Sequence, residues 1–278
     1  MTPNAEAVAT AIDARIARAR VLVAAQPATS ALLDFYAGLA AWQRSLLRRV
    51  PEVVRVPAPQ ATPFAARLDV AAIAESVPHL LSWLGDHAPS ALCQAVPVLA
   101  AASADAWQAR ITASLGEADE AVDEVAAAFV CEAVTQPFAE AVAMAMTPPA
   151  STRTPSAGEP ARCPRCGGLP VAGVLRERGH GAHRALVCGR CLSEWAAPRV
   201  MCPACGGLDV EALPVFRAES WPGVRLDACE HCRTYLKSVD VSVDRHAIAV
   251  VDDLATLPLD LWAAEQGFHK GRPNLLRL

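Results

Sequence analysis

Residues 163–191 read CPRCGGLPVAGVLRERGHGAHRALVCGRC, and residues 202–232 read CPACGGLDVEALPVFRAESWPGVRLDACEHC. Each stretch begins and ends with a Cys-x-x-Cys pair, and together they hold eight of the ten cysteines in the chain. Two residues between cysteines allow both sulfurs of a tight turn to face one ion, and two such turns complete a tetrahedron. The spacing therefore predicts two four-cysteine metal sites.

The two stretches are copies of one unit. Both open with Cys-Pro-x-Cys-Gly-Gly-Leu, and both continue with a strand-like run, a second cysteine pair and an aromatic residue. Because a repeat is one structural unit used twice, we expect each copy to hold its own ion. The predicted ligand sets are Cys163, Cys166, Cys188 and Cys191 for one ion, and Cys202, Cys205, Cys229 and Cys232 for the other. An interleaved arrangement, in which alternate turns share an ion, is the open alternative.

Each copy is expected to fold as a metal ribbon. Gly167 and Gly206 follow the second cysteine of a turn, where a positive φ directs backbone amides toward the sulfurs. Apolar residues predict a hairpin in each copy: Val171, Val174, Leu186 and Val187 in the first, and Val210, Leu213, Val215, Val224 and Leu226 in the second. So small a unit buries little apolar surface, so metal binding must supply folding energy. Four thiolates suit zinc and iron equally well, and the spacing does not choose between them.

The rest of the chain is predicted to be mainly helical, because the 278 residues are alanine-rich. Apolar periodicity predicts an all-helical domain over 1–146, with a second helix capped by Thr29 or Ser30. We expect an extended stretch from Val50 to Pro63, helix breaks near Pro89 and Pro97, and a helix over Glu117–Met146 that Pro137 kinks or ends. The remaining predicted segments are a linker over 147–162, ribbons over 163–200 and 201–240, and a tail over 241–278 that packs on the ribbons. In the tail we expect a strand over Ile248–Val251 and a helix that Gly267 ends.

Composition favours a soluble cytoplasmic protein. Met1–Ala25 lacks the apolar core of a secretory signal, and the uncharged stretch between Asp86 and Asp105 is too polar and proline-broken to span a bilayer. In the cytoplasm, paired cysteines are metal ligands more often than disulfides.

Charge argues against a nucleic-acid partner. Residues 1–150 carry 9 basic and 15 acidic side chains, a net charge of −6, whereas residues 160–240 carry 11 and 8, a net charge of +3. With eight thiolates and two divalent ions included, the ribbon region has a net charge of about −1 and lacks the basic footprint of a nucleic-acid reader.

The sequence also lacks the common catalytic motifs. There is no phosphate-binding glycine loop, nucleophile elbow or His-Glu-x-x-His run. A metal with four protein ligands has no open position for substrate or water, which disfavours hydrolysis, although iron in such a cage could still change valence. We therefore predict no catalytic residues and a protein that is not an enzyme.

Several segments resemble one known family, the formate dehydrogenase accessory proteins called FdhE. They are the doubled Cys-Pro-x-Cys-Gly turns, CEHCRTYLKSVD at 229–240, VVDDLATLPLDLWAAEQGFHKGRPNLLRL at 250–278 and FYAGLAAWQ at 35–43. The chain departs from the family pattern at Pro258 and at the ending Asn274-Leu275-Leu276.

The resemblance implies a helical N-terminal domain joined to two tandem rubredoxin-like ribbons, which are also zinc-ribbon-like, and a short C-terminal helix. It implies iron in two mononuclear four-cysteine sites, with zinc as the alternative. It further implies a cytoplasmic maturation factor that acts on the molybdenum-containing catalytic subunit of respiratory formate dehydrogenase before export. From hydropathy and charge we expect neither membrane nor nucleic-acid binding.

On this hypothesis the ribbons dock the catalytic subunit, and the helical domain adds surface or forms a homodimer. Asp252, Asp253 and Trp262 are candidate partner contacts, although they could equally be helix-cap and core residues. Two other functions remain open. One is a zinc-ribbon protein that binds nucleic acid or acts as a regulator, and the other is an enzyme that uses Cys-x-x-Cys as a redox dithiol.

Overall fold

The computed structural model describes residues 2–56, 62–116, 124–147, 158–178 and 181–278. The chain divides into two compact units. The helical unit consists of Met1–Ala17, Asp34–Thr147 and Arg277, and the ribbon unit consists of Arg18–Leu33, Pro148–Leu276 and Leu278. Residues 18–33, placed by the sequence in the helical domain, thus cluster with the cysteine-containing unit. Most of the predicted linker, residues 148–157, lies outside the described residues.

The described residues before 148 are mainly helical, as the alanine content predicts. The helices are α1 Pro3–Ala25, α2 Ser30–Leu46, α3 Val50–Val53, α4 Val70–Ala74, α5 Val77–His87, α6 Ser90–Ala100, α7 Ala104–Ser114 and α8 Val125–Ala145. Pro89 precedes α6 as expected, but Pro97 lies inside that helix. The chain breaks after Ala100 instead, where the Ser103 side chain accepts a hydrogen bond from Ala106 N–H and caps α7.

Other predicted details of the helical region differ in the structure. Val50–Val53 forms a helical turn rather than extended chain, and residues 57–61 lie outside the described part. The hydroxyl groups of Thr29 and Ser30 donate to the carbonyls of Ala255 and Pro27 instead of capping α2. The 3-10 turn Pro27–Thr29 runs directly into α2, so neither residue caps that helix with its side chain.

Helix α8 is the central core helix of the helical unit, and Pro137 does not end it. A proline inside a helix leaves the carbonyl four residues earlier without its usual donor, here that of Ala133. The Gln43 side chain, 3% exposed, replaces that donor with a 2.9 Å hydrogen bond from Nε2 to the Ala133 oxygen. This replacement explains how the helix continues through the proline. The predicted acidic first turns, residues 117–123, lie outside the described part.

A buried ion pair also fixes α8. Arg15 of α1 donates from both terminal nitrogens to the two carboxylate oxygens of Glu140, at 2.7 and 2.8 Å. Burial opposes the charge on Arg15, but Glu140 more than compensates and raises the pKa of the guanidinium. By length and composition α8 could cross a bilayer, yet 83% of its apolar window is buried inside the protein, as in an ordinary core helix.

The ribbon unit is built on one sheet. Its strands are β1 Pro170–Arg178, β2 Gly181–Cys188, β3 Glu194–Ala197, β4 Val215–Arg217, β5 Val224–Ala228, β6 Thr234–Asp240 and β7 His269–Lys270. Their order is β3-β2-β1-β6-β5-β4, and β7 pairs with β6. The hairpins β1–β2 and β4–β5 confirm the predicted ribbons, except that Val210 and Leu213 precede the second hairpin.

The two ribbons are fused side by side, which the repeat alone does not predict. Strand β1 of the first ribbon pairs in parallel with β6 of the second, with Gly173 opposite Ser238. A Cβ atom on Gly173 would lie 2.2 Å from Ser238 Oγ, so this approach of the strands requires glycine. The strands of the two ribbons therefore form a single continuous sheet rather than two independent modules.

The tail after β6 contains two helices, α9 Ala249–Ala255 and α10 Leu257–Glu265. The predicted strand over Ile248–Val251 is wrong, because the side chain of Asp252 accepts a 2.7 Å hydrogen bond from Ile248 N–H and starts a helix there. The predicted second helix is confirmed. Pro258 occupies its first turn, and Gly267, with φ +76, follows its end.

Candidate metal centres

The four Cys-x-x-Cys turns stand at the ends of the strands of the ribbon unit. In each ribbon, one turn precedes the hairpin and the other follows it. The structure gathers the cysteines into two clusters, in each of which all four sulfurs lie within 4.8 Å of one another. Their members are Cys163, Cys166, Cys188 and Cys191 in the first cluster, and Cys202, Cys205, Cys229 and Cys232 in the second. This is the sequential grouping, not the interleaved alternative, and every one of these cysteines is a free thiol.

All four turns share one backbone conformation. The residue after the second cysteine has positive φ in each of them, namely Gly167 at +73°, Gly206 at +69°, Leu192 at +53° and Arg233 at +57°. The two glycines were expected, whereas Leu192 and Arg233 were missed. Aligning all four Cys-x-x-Cys-x segments would have identified both, because the same turn demands the same backbone angle.

Backbone and hydroxyl groups surround the sulfurs with donors. Gly168 N–H lies 3.4 Å from Cys166 Sγ, and Arg190 N–H lies 3.3 Å from Cys188 Sγ. In the second cluster, the Thr234 hydroxyl lies 2.9 Å from Cys232 Sγ. Donors of this kind stabilise a negative charge on sulfur and fix the orientation of the thiolate. A metal-binding cysteine usually has such an environment.

The sulfur spacing fits a tetrahedral metal site. Across the first cluster, Cys163 to Cys191 measures 3.7 Å and Cys166 to Cys188 measures 3.3 Å. Across the second, Cys202 to Cys232 measures 3.6 Å and Cys205 to Cys229 measures 3.8 Å. A tetrahedron with metal–sulfur bonds of about 2.3 Å has edges of about 3.8 Å, whereas a disulfide would bring two sulfurs to about 2.05 Å. The donor set thus fits a four-thiolate zinc or iron ion in each cluster.

The thiols of a cluster also differ in pKa, because closely spaced sulfurs cannot all carry a negative charge without a cation. Hydrogen bonds from Cys166, Cys188 and Cys191 lower the pKa of Cys163, and the bond to Cys163 raises the pKa of Cys166 and of Cys191. In the second cluster, burial raises the pKa of Cys202 to about 12. Burial also opposes ionisation of Cys232, but the Thr234 hydroxyl and neighbouring thiols lower its pKa to about 7. Four thiolates this close require a cation, so metal binding would release protons.

The two clusters are not equally protected from solvent. All four cysteines of the first cluster are buried, whereas Cys205 and Cys232 of the second are only half-buried. The second centre is therefore the more accessible one.

The sequence motifs named as candidate partner contacts occupy the interior instead. Asp252 and Asp253 are 5% and 1% exposed, and Trp262 is half-buried with its ring against Phe216. Asp252 lies in the first turn of α9, accepts a hydrogen bond from Ile248 N–H and pairs with Arg18. The acidic residues of this motif are thus structural, and the hypothesis that they contact a partner is wrong for both.

Asp253 belongs to a buried ionic network that fastens the tail to the sheet. Lys237 of β6 is fully buried and pairs with Asp253 and Asp260, at 3.1 and 2.5 Å. Lys270 of β7 pairs with the same two carboxylates, and the Tyr235 hydroxyl donates to Asp260. Burial opposes ionisation of Asp253, but the two lysines lower its pKa to about 2. The tail segments that carry the resemblance therefore meet at one buried site.

Comparison with known proteins supports this resemblance. Family models for the FdhE central domain and the FdhE C-terminal domain match residues 162–199 and 200–277. Residues 162–277 thus resemble the FdhE family. The FdhE central domain thus corresponds to the first cysteine cluster, and the FdhE C-terminal domain to the second cluster and the tail.

Curated relatives carry the same name. An FdhE homolog of Stutzerimonas stutzeri is 40% identical over 116 residues, which are 41% of this chain and 37% of that protein. An FdhE homolog of Pseudomonas aeruginosa is 37% identical over 119 residues, 41% of this chain and 38% of that protein. One of Aquifex aeolicus is 33% identical over 115 residues, 41% of each. The matched sequence therefore spans well under half the length of these relatives.

Structural similarity extends further along the chain. The crystal structure of the FdhE protein from Pseudomonas aeruginosa superimposes with a TM-score of 0.67 at 25% sequence identity. The match covers 96% of this chain and 95% of that one. The predicted fold, a helical N-terminal region followed by two four-cysteine ribbons and a C-terminal helix, is thereby confirmed.

Proposed function

We propose that this chain is an accessory protein in the maturation of respiratory formate dehydrogenase, and that it binds the catalytic subunit of that enzyme. The observation that carries the proposal is the FdhE match over residues 162–277, which coincides with two four-cysteine clusters on one sheet. The family resemblance indicates which protein is the partner. Metal bound in the two clusters would make the ribbon unit a rigid binding surface.

In this proposal the eight cysteines hold two metal ions, one in each cluster. Iron is the metal that the resemblance implies, and zinc has the same four-thiolate preference. Four sulfurs within 4.8 Å of one another fill a tetrahedral shell and leave no position for a substrate. The ions would therefore fix the shape of the docking surface or carry electrons, and the chain would not be an enzyme.

The proposed site of action is the cytoplasm, where the catalytic subunit awaits export. Reduced thiols are kept available as metal ligands in that compartment. Among the described helices, α8 is the one that is long and apolar enough to cross a bilayer, and it is a buried core helix. Its burial is consistent with a location in the cytoplasm.

Co-purification tests the proposal. Tagged, metal-loaded protein should retain the catalytic subunit of formate dehydrogenase, and the double variants Cys163→Ser/Cys166→Ser and Cys202→Ser/Cys205→Ser should each retain less of it. Cys93→Ser is the matched control, because Cys93 lies outside both clusters and should leave retention unchanged. No retention of the subunit by the metal-loaded protein would refute the proposal.

A genetic measurement provides the second test. A strain that lacks this protein should have little formate dehydrogenase activity, and the wild-type gene and the Cys93→Ser variant should restore it. Equal restoration by both cluster double variants would show that the cysteines are not needed for the proposed role.

A further inference from the structure

The ribbon unit contains a cavity of about 590 Å³ beside the second cysteine cluster. One wall is the turn Cys202–Pro203–Ala204, and strands β5 and β6 supply another through Ala228, Tyr235 and Leu236. The cavity also has an apolar lining from Leu169, Met201 and Leu213. Its volume lies within the range of ordinary ligand-binding sites, about 300 to 1,000 Å³.

Arginine side chains give this apolar cavity an excess of positive charge. Arg162, Arg184, Arg199 and Arg225 line it, and Asp227 is the single acidic residue among the lining residues that the structure describes. Arg225 Nε lies 2.8 Å from one oxygen of Asp227, and Arg184 lies 3.4 Å from the other. The Ser238 hydroxyl donates a hydrogen bond to Asp227, so this one carboxylate faces two arginines and a hydroxyl group.

Arg184 is buried at the cavity with an incomplete set of hydrogen bonds. It is 3% exposed, and one terminal nitrogen donates to the Met201 carbonyl at 2.9 Å. Its Nε and its other terminal nitrogen have no hydrogen-bond partner among the described residues. Burial lowers the pKa of this guanidinium, which reflects an incompletely compensated charge. A buried arginine of this kind is stabilised by an added carboxylate.

The apolar surface continues beyond the cavity. Three lining valines at its rim are exposed, Val200 by 43%, Val210 by 67% and Val215 by 48%. Val215 lies on β4, the outermost strand of the sheet on that side. A small carboxylate would leave these side chains in water, whereas an extended chain could cover them.

We propose that this cavity binds an extended segment of the partner protein in which an acidic side chain is flanked by apolar ones. The inference rests on the proposed function, since the partner is the formate dehydrogenase catalytic subunit. The acidic side chain reaches Arg184 and Arg225, and the apolar neighbours cover Val210 and Val215. Positive charge selects the carboxylate, and apolar contact supplies most of the affinity.

The position of the cavity also explains why docking would depend on metal. Cys202 belongs to both the cavity wall and the second cluster. An ion in that cluster fixes the turn Cys202–Ala204 and with it the shape of the cavity. Loss of the second ion should therefore weaken docking more directly than loss of the first.

Two matched pairs of surface variants test the inference in the full, metal-loaded chain. Arg199→Glu reverses an exposed charge at the cavity, and Arg245→Glu reverses an exposed charge elsewhere on the ribbon unit. Val210→Asp places a carboxylate at the rim, and Val243→Asp places one at a valine of similar exposure, 56%, that does not line the cavity. We expect each cavity variant to bind the catalytic subunit about tenfold more weakly, and each control to bind within about twofold of wild type.

A photo-cross-linking residue at position 210 identifies the occupant. The expected product is a cross-link to a segment of the catalytic subunit that contains Asp or Glu between apolar residues. A cross-link to a second copy of this chain, or to a segment without an acidic residue, would overturn the inference. Unchanged binding by both cavity variants would overturn it while leaving the proposed function intact, whereas absence of binding by wild type would refute the proposed function itself.

Discussion

At the scale of single residues, Gly168 packs directly against two sulfurs of the first cysteine cluster. A Cβ atom at this position would lie 3.1 Å from Cys188 Sγ and 3.3 Å from Cys166 Sγ. Its counterpart in the second repeat, Gly207, has a single contact, to Cys205 Sγ at 3.4 Å. The repeat therefore places a glycine beside the sulfurs of both clusters, with less free space at Gly168 than at Gly207.

We expect Gly168→Ala to weaken metal binding at the first cluster by about 1 to 3 kcal/mol, the usual cost of adding a methyl group to a packed site. Competition with a chromophoric chelator measures this affinity. Gly207→Ala is the control and should change the affinity of the second cluster little. Equal effects of the two substitutions would show that contact with the sulfurs is not the cause.

Gln43 has a comparable single-residue role in the helical unit. Its side chain supplies the hydrogen bond that Pro137 denies to the Ala133 carbonyl. Gln43→Ala should lower the free energy of unfolding by about 1 to 3 kcal/mol, because it leaves a buried carbonyl without a donor. Denaturant unfolding measures the change, with the exposed Gln94→Ala on α6 as the control. A loss no larger than that of the control would contradict this account of how α8 passes through its proline.

At the scale of helices, strands and turns, the sequence predicts best those elements that depend on residues close together in the chain. The cysteine turns and the hairpin between them follow from spacing and alternation within residues 163–191 and 202–232, and both are present in the structure. The apolar run Ile248–Val251 was misassigned because a short apolar run fits a strand and a helix equally well. The deciding contact, from the Asp252 side chain to Ile248 N–H, is a cap that only the observed backbone reveals.

The unequal burial of the two clusters gives a prediction about metal release. Cys205 and Cys232 are half-buried, while the first cluster is fully buried, so a chelator should remove the ion of the second cluster first. Release should occur in two phases in wild type. The Cys163→Ser/Cys166→Ser variant should show the fast phase alone, and Cys202→Ser/Cys205→Ser the slow phase alone. The reverse assignment of phases would show that burial does not control access to the ions.

At the scale of the whole molecule, the feature hidden from the sequence is the fusion of the ribbons. The parallel pairing of β1 with β6 joins residues far apart in sequence, Gly173 and Ser238, that belong to different copies of the repeat. The buried network of Lys237, Asp253 and Asp260 was hidden for the same reason, since each partner comes from a different element. Local sequence patterns do not predict such contacts, because the partners lie far apart in the chain.

Substitution of Gly173 tests the fused sheet. Gly173→Ala would force Ser238 Oγ away and break its 2.6 Å hydrogen bond to Asp227. We expect a loss of about 1 to 3 kcal/mol in the free energy of unfolding of metal-loaded protein. Gly223→Ala, whose added Cβ would meet Val243 at an ordinary 3.5 Å, is the control. Stability equal to that of the control would mean that β1 and β6 are not held at this distance.

The most direct test of the whole account is the metal content of freshly purified protein, measured by native mass spectrometry together with elemental analysis and a visible spectrum. We predict two ions per chain in wild type and one in each cluster double variant, with thiolate-to-iron absorption if the metal is iron and no colour if it is zinc. A chain with no bound ion, with a single ion, or with disulfides among the eight cysteines would contradict the claim that two four-cysteine centres organise the ribbon unit.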